Sequence, residues 1–176
     1  SKAQAAKVIL ISDGLANKGI TDVIALGNIA GLAVEKEFSV STVGLGAEFN
    51  EHLMSALADR GTGSYYYLEN PAAFAEVFQQ ELYNTQAAAV TNLKIQIPLK
   101  NGITLTDAAG YPITAQNGHA VFYPGNLRSG QTRKLFLTLR VPTTSQGTFG
   151  LDNIVIRYHH NSQVYETTLD DSFNIA

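Results

Sequence analysis

Four adjacent aliphatic residues, Val8-Ile9-Leu10-Ile11, run directly into Ser12-Asp13-Gly14. No other feature constrains the fold as much. A strand with one face in water alternates apolar and polar side chains. An unbroken aliphatic run bounded by a turn instead predicts a strand, Lys7 to Ser12, buried on both faces in a helix-covered parallel sheet. Asp13 then stands at the carboxyl end of that strand, where open α/β sheets place their ligands. The run is far shorter than the ~18 apolar residues of a membrane span, and no membrane span is expected.

The segments up to residue 87 keep the same grammar. Thr21 can cap a helix to about Lys36, with Val23, Leu26, Ala30, Ala33 and Val34 on one side. Gly27 and Gly31 share a face of it and predict close approach to the sheet. Phe38–Leu45 is a second strand. Asn50 caps a helix with Leu53, Met54, Leu57 and Ala58 inward, ended by Gly61. Tyr65–Leu68 is a third strand, and some of its tyrosines are expected to pack under helices while others reach the surface. Asn70-Pro71 opens a helix that uses Phe74, Val77, Phe78 and Leu82. Strand and helix alternate three times, which implies right-handed crossovers and a parallel sheet.

Beyond residue 87 the period becomes two. Leu93, Ile95, Ile97 and Leu99 alternate with Lys94, Gln96 and Pro98; Leu135, Leu137, Leu139 and Val141 alternate with Lys134, Phe136, Thr138 and Arg140 over a strand at 134–141; and Ile154, Ile156 and Tyr158 repeat the period. Turn signals separate these runs, among them Asn117-Gly118, Pro124-Gly125 and Asn161-Ser162. Six to eight antiparallel strands in a small sandwich are expected. The fold class is therefore α/β, a three-stranded parallel sheet with helices, plus an all-β antiparallel sandwich, with domains at 1–87 and 88–176. The charge balance changes at the same place. Residues 1–87 carry 5 Lys/Arg against 10 Asp/Glu, and residues 88–176 carry 7 against 5. The overall charge of −3 argues against a nucleic-acid backbone as partner. With no cysteine, disulfide scaffolds, thiolate metal sites and thiol nucleophiles are excluded.

Few residues carry chemistry. Asp13 can offer a carboxylate to a hard cation, directly or through water. It can equally cap the Gly14 turn, the commoner use of such an aspartate. The loop from Gly14 to Thr21 follows a strand and precedes a helix, as a phosphate loop does. Ile20, however, stands where that motif needs its lysine, and Lys18 is displaced. Gly44 and Gly46 lack the third glycine of a dinucleotide fingerprint. His159 and His160, adjacent on a strand, point to opposite faces and do not readily share a metal. His52 and His119 are isolated. No nucleophile elbow or zinc-helix motif occurs.

The segment Val8 to Gly19, with Asp13-Gly14 at its centre, resembles the fourth strand and following loop of bacterial von Willebrand factor type A domains. Ser39 to Gly46 resembles their fifth strand. Leu53 to Gly63, then Tyr65-Tyr66-Tyr67, resembles the next helix and last strand, so the likeness runs in order over about residues 5–86. Asn126 to Pro142 resembles the β-rich region that follows this domain in some bacterial members. The resemblance implies a protein-binding, non-enzymatic module of adhesion type. It also implies a site in which three loops surround one divalent ion, usually magnesium. The first loop carries Asp-x-Ser-x-Ser, the second a threonine, and the third an Asp followed by Gly.

Only the third loop maps here, onto Asp13-Gly14. The expectation is thus a chain that starts in the middle of the domain, with Asp13 as the single remaining metal ligand. Magnesium is expected in the intact parent, and none bound tightly to this chain, since the ion wants six oxygens and dehydrates reluctantly. Asp170-Asp171-Ser172 imitates the first loop but reads as a solvated strand end. The only methionine is Met54, which fits a processed or excised chain. Without the preceding strands, residues 7–12 would form an open edge that pairs across a dimer or lies under the β domain. A cell-envelope or extracellular location is expected. The alternative is a nucleotide- or phosphate-binding enzyme domain using Asp13 and the Gly14–Gly19 loop.

Overall fold

The computed structural model of the chain describes residues 6–142, 149–161, 163–169 and 173–175. The α/β region runs β1 (Ala6–Ser12), α1 (Val23–Glu35), β2 (Phe38–Leu45), α2 (Glu51–Arg60) and β3 (Thr62–Leu68). A single 3-10 turn at Pro71–Ala73 leads into α3 (Phe74–Gln86). The three strands form one parallel sheet in the order β1-β2-β3, in register from Ala6 opposite Phe38 to Ser12 opposite Gly44. The alternating grammar of the sequence is realised: each connection carries a helix, and α/β plus all-β is the fold.

Local signals set most helix ends. Asn50 Oδ1 accepts from Leu53 N at 3.0 Å and Gly61 closes α2, as expected. Asn70 Oδ1 accepts from Ala72 N at 3.0 Å. The cap of α1 differs from expectation. Asp22, not Thr21, caps it, accepting from Ala25 N at 2.8 Å. A carboxylate at the helix start is favoured by the partial positive charge there.

On one face of the sheet Ala30, Val40, Leu53 and Leu57 form a core, joined by Val23, Leu26 and Ala33. On the other, Val43, Leu68 and Val77 pack with Ile9, Tyr66 and Phe74. Gly27 of α1 does not serve approach to the sheet. A Cβ there would lie 2.5 Å from Arg60 Cδ, so the missing side chain makes room for α2's arginine. Gly31 faces Pro112.

Two expectations about burial are not met among the described residues. Val8, Leu10 and Ile11 are 42–49% exposed, although the run predicts burial on both faces. Among the described residues β1 is hydrogen-bonded only to β2. Phe78 and Leu82, expected inward, are about half exposed. No described strand of the β region is hydrogen-bonded to β1.

The all-β region supplies ten short strands among the described residues. They are β4 (Ala88–Pro98), β5 (Thr104–Ala108), β6 (Thr114–Gln116), β7 (His119–Phe122), β8 (Leu127–Arg128), β9 (Leu137–Arg140), β10 (Phe149–Leu151), β11 (Ile154–His160), β12 (Gln163–Leu169) and β13 (Phe173–Ile175). β9 is shorter than the 134–141 strand expected. One sheet has the order β12-β11-β4-β7-β6, with β8 also on β4, and β5-β9 and β10-β13 form two-stranded ribbons. All these pairings are antiparallel. Ile95 and Ile97 of β4 and Ala120 and Phe122 of β7 pack against Leu105 and Ala108 of β5, with Leu137 and Leu139 of β9 at the margin. The period-two pattern predicts this burial because a half-buried strand presents every second side chain to its partner layer.

Candidate functional site

Asp13 follows the last residue of β1 and is exposed at the carboxyl rim of the sheet. Ser12 Oγ donates to Gly14 O at 2.9 Å, which tightens the turn next to the carboxylate. Beside it opens a cleft of about 340 Å³ whose wall includes Leu26, Leu53, Met54 and Leu57. A lone acid at the mouth of an apolar depression can orient a ligand through charge while the walls take apolar surface.

The donors present do not fit a divalent ion by themselves. Asp13 brings one carboxylate, and the described residues contain no group of three or more His, Asp or Glu able to hold a metal. Asp170, Asp171 and Ser172, which imitate the first loop of the adhesion site, lie outside the described residues, as does Ser162.

The Gly14–Gly19 loop does not make a phosphate cradle. It is largely exposed, and α1 begins only at Val23. The helix N-terminus where a phosphate would sit is occupied by the Asp22 carboxylate, which repels an anion. His159 and His160 separate as expected. His160 Nδ1 lies 2.7 Å from Ala89 O, while His159 Nε2 lies 3.9 Å from Glu37 Oε1. His119 Nδ1 lies 2.9 Å from Asn117 O, and His52 is exposed on α2.

Sequence reasoning missed the charged centre of the α/β region. Glu81 of α3 is 1% exposed. Its carboxylate accepts from Lys7 of β1, from Ser41 Oγ of β2 at 2.9 Å and from Tyr66 OH of β3 at 2.6 Å. Ser41 Oγ in turn accepts from Ser64 N at 3.0 Å, where the β2–β3 register shifts. Burial pushes the Glu81 carboxyl up, but the hydrogen bonds from Lys7, Tyr66 and Ser41 and the charge of Lys7 outweigh it and hold it below the ordinary carboxylate value. Burial and the same carboxylate push the Tyr66 hydroxyl up. One helix is thus tied to all three strands, through residues that run from the start of β1 (Lys7) across the middle of β2 (Ser41) to the carboxyl half of β3 (Tyr66). A signal existed: Glu81 falls four residues after Val77 and seven after Phe74, on the inward stripe of its helix.

No family model matches the chain. Among curated proteins it is similar to an uncharacterized protein of Synechocystis, 25% identical over 175 residues, covering 93% of this chain and 41% of that one. It is also similar to the uncharacterized protein YfbK of Escherichia coli, 28% identical over 92 residues, covering 52% of this chain and 16% of that one. The chain therefore spans less than half the length of these relatives. Among solved structures it resembles a von Willebrand factor type A protein from Catenulispora acidiphila, with a TM-score of 0.65 and 16% identity, over 99% of this chain and 42% of that one. The ArnB paralog VWA2 from Sulfolobus acidocaldarius aligns with a TM-score of 0.51 and 20% identity, over 97% of this chain and 41% of that one. With the parallel order β1-β2-β3 and its three helices, these likenesses give the chain a von Willebrand factor type A-like α/β fold joined to an all-β region.

Proposed function

We propose that this chain is the carboxyl-terminal part of a non-enzymatic module that binds another protein through the rim at Asp13, followed by a β-sandwich domain at residues 88–176. The observation that carries this is the exposed Asp13 carboxylate on the rim of a von Willebrand factor type A-like sheet, beside a cleft of about 340 Å³. In a longer parent protein Asp13 would offer one oxygen, directly or through water, to a magnesium ion, and other segments and a carboxylate of the partner would have to supply the rest. A place in the cell envelope or outside the cell belongs to the same proposal.

Two measurements test it. Magnesium titration of this chain, followed by NMR shifts around Asp13, should show no micromolar saturation. Micromolar saturation that disappears in Asp13→Asn would refute the incomplete site. In the full-length protein, a photo-crosslinking residue at Leu15 should yield a discrete protein adduct that is lost in Asp13→Ala. Adducts unchanged by that substitution would overturn the role of the rim.

The outer edge of β1 is proposed to pair with a second copy. Exposed aliphatic side chains on a strand edge that pairs with no other described strand favour such pairing. Sedimentation should then give a dimer, with slow amide exchange at residues 8–11. A strict monomer with rapid exchange there counts against it.

A further inference from the structure

At the other side of the sheet the alternation of β3 sorts the three adjacent tyrosines. Tyr66 turns toward Glu81. Tyr65 and Tyr67 lie on the opposite face, paired in register with Thr42 and Gly44 of β2. Phe49, from the loop before α2, lies over Gly44 so closely that a Cβ there would stand 2.2 Å from its ring. The three rings therefore converge. Phe49 and Tyr67 have centroids 5.9 Å apart at 29°, and Phe49 and Tyr65 6.4 Å apart at 49°. Between them and Glu51 is an open notch of about 350 Å³. The lining holds no lysine, arginine or histidine, and Tyr67 is 54% exposed.

Ring faces carry negative potential and attract a cation held within about 6 Å of their centroids. A carboxylate at the edge of the same notch adds a full charge of the same sign. A purely apolar ligand would gain from the rings but would leave Glu51 partly desolvated and unpaired. An anion would meet both the rings and Glu51 as repulsion. The surrounding region has the same sign, with 5 Lys/Arg against 10 Asp/Glu over residues 1–87. Phe49 is already seated against Gly44, which lowers the ordering cost of that ring on binding.

We infer that Phe49, Tyr65 and Tyr67, with Glu51, form an aromatic–carboxylate notch that receives the cationic head of a lysine or arginine side chain from a partner protein. The protein source of the cation rests on the protein-binding role proposed above. The notch itself does not, since it shares no residue with the Asp13 rim.

The test is an NMR titration of this chain, read on the aromatic resonances of Phe49, Tyr65 and Tyr67. The probes are the Nα-acetyl N-methylamides of lysine and arginine, the uncharged norleucine analogue, and choline. The lysine and arginine probes should shift these resonances saturably, and norleucine should not. Tyr67→Leu, at an exposed position, should weaken binding about two- to fivefold, the loss of one ring's contribution. Glu51→Gln should weaken it and flatten its salt dependence. Thermal melts of both variants establish that they fold. Equal shifts with norleucine, or no shifts with either amino-acid probe, would overturn the notch. Choline binding more tightly than both would overturn its assignment to a protein side chain. The titration contains neither metal nor partner protein. Its failure leaves the Asp13 rim standing, and failure of the Leu15 crosslink leaves the notch standing.

Discussion

Replacing Lys7 by methionine leaves the Glu81 carboxylate buried against Ser41 and Tyr66 with no opposite charge. Breaking a buried ion pair from one side costs about 3–5 kcal/mol, mostly because the remaining charge is stranded. Lys7 is 19% exposed and two hydroxyl donors remain, so the lower end, about 3 kcal/mol, applies. At a urea slope of about 1–3 kcal/mol per molar, the unfolding midpoint should fall by about 1–3 M. Tyrosine fluorescence can follow the transition, because the chain has 8 tyrosines and no tryptophan. Exchanging both partners, Lys7→Met with Glu81→Leu, should recover part of the loss, since no charge is then stranded although the Ser41 and Tyr66 hydroxyls lose their acceptor.

The pH dependence carries the sign. In the native protein the Glu81 carboxyl is held below its unfolded value of 4.5. Its stabilisation is present above that value and is lost as pH falls through the lower folded one. Without Lys7, the upward push of burial is opposed only by two hydroxyl donors. The gap between variant and native protein should therefore narrow on acidification. A Lys7→Met midpoint within experimental error of the native one, or a gap that widens in acid, would refute the account of this network.

Two further substitutions probe single local causes. Gly63→Ala would place a Cβ 2.1 Å from Val40 O, backbone against backbone at the β2–β3 irregularity. It should destabilise the α/β region by about 1–3 kcal/mol in urea unfolding, whereas Gly14→Ala meets nothing within 4 Å and should lie near the native midpoint. Asp22→Ala removes the acceptor of Ala25 N and should cost about 0.5–2 kcal/mol. Amide exchange should accelerate in the first turn of α1 and stay unchanged in α2.

Features that depend on neighbours along the chain were legible without coordinates. The aliphatic run became β1, Asn50 and Gly61 bound α2, and strand–helix alternation produced parallel order, because turn and cap geometry act over a few residues. The shift to period two marked the all-β region for the same reason. The placement of Asp13 at the end of β1 was legible too, since a strand's end and its turn are adjacent in sequence.

Tertiary structure decided which side of each element meets another. Phe78 and Leu82 share an apolar arc with Val77, yet they are half exposed while the charged Glu81 is buried. A helical stripe by itself does not say which of its residues will find partners. Lys7, Ser41, Tyr66 and Glu81 lie up to 74 residues apart and become one network only when three strands and a helix align. The notch likewise needs Phe49 to fold back over Gly44 between two tyrosines of another strand. Periodicity records what one segment requires of its surroundings. Which segment supplies it is settled by long-range packing.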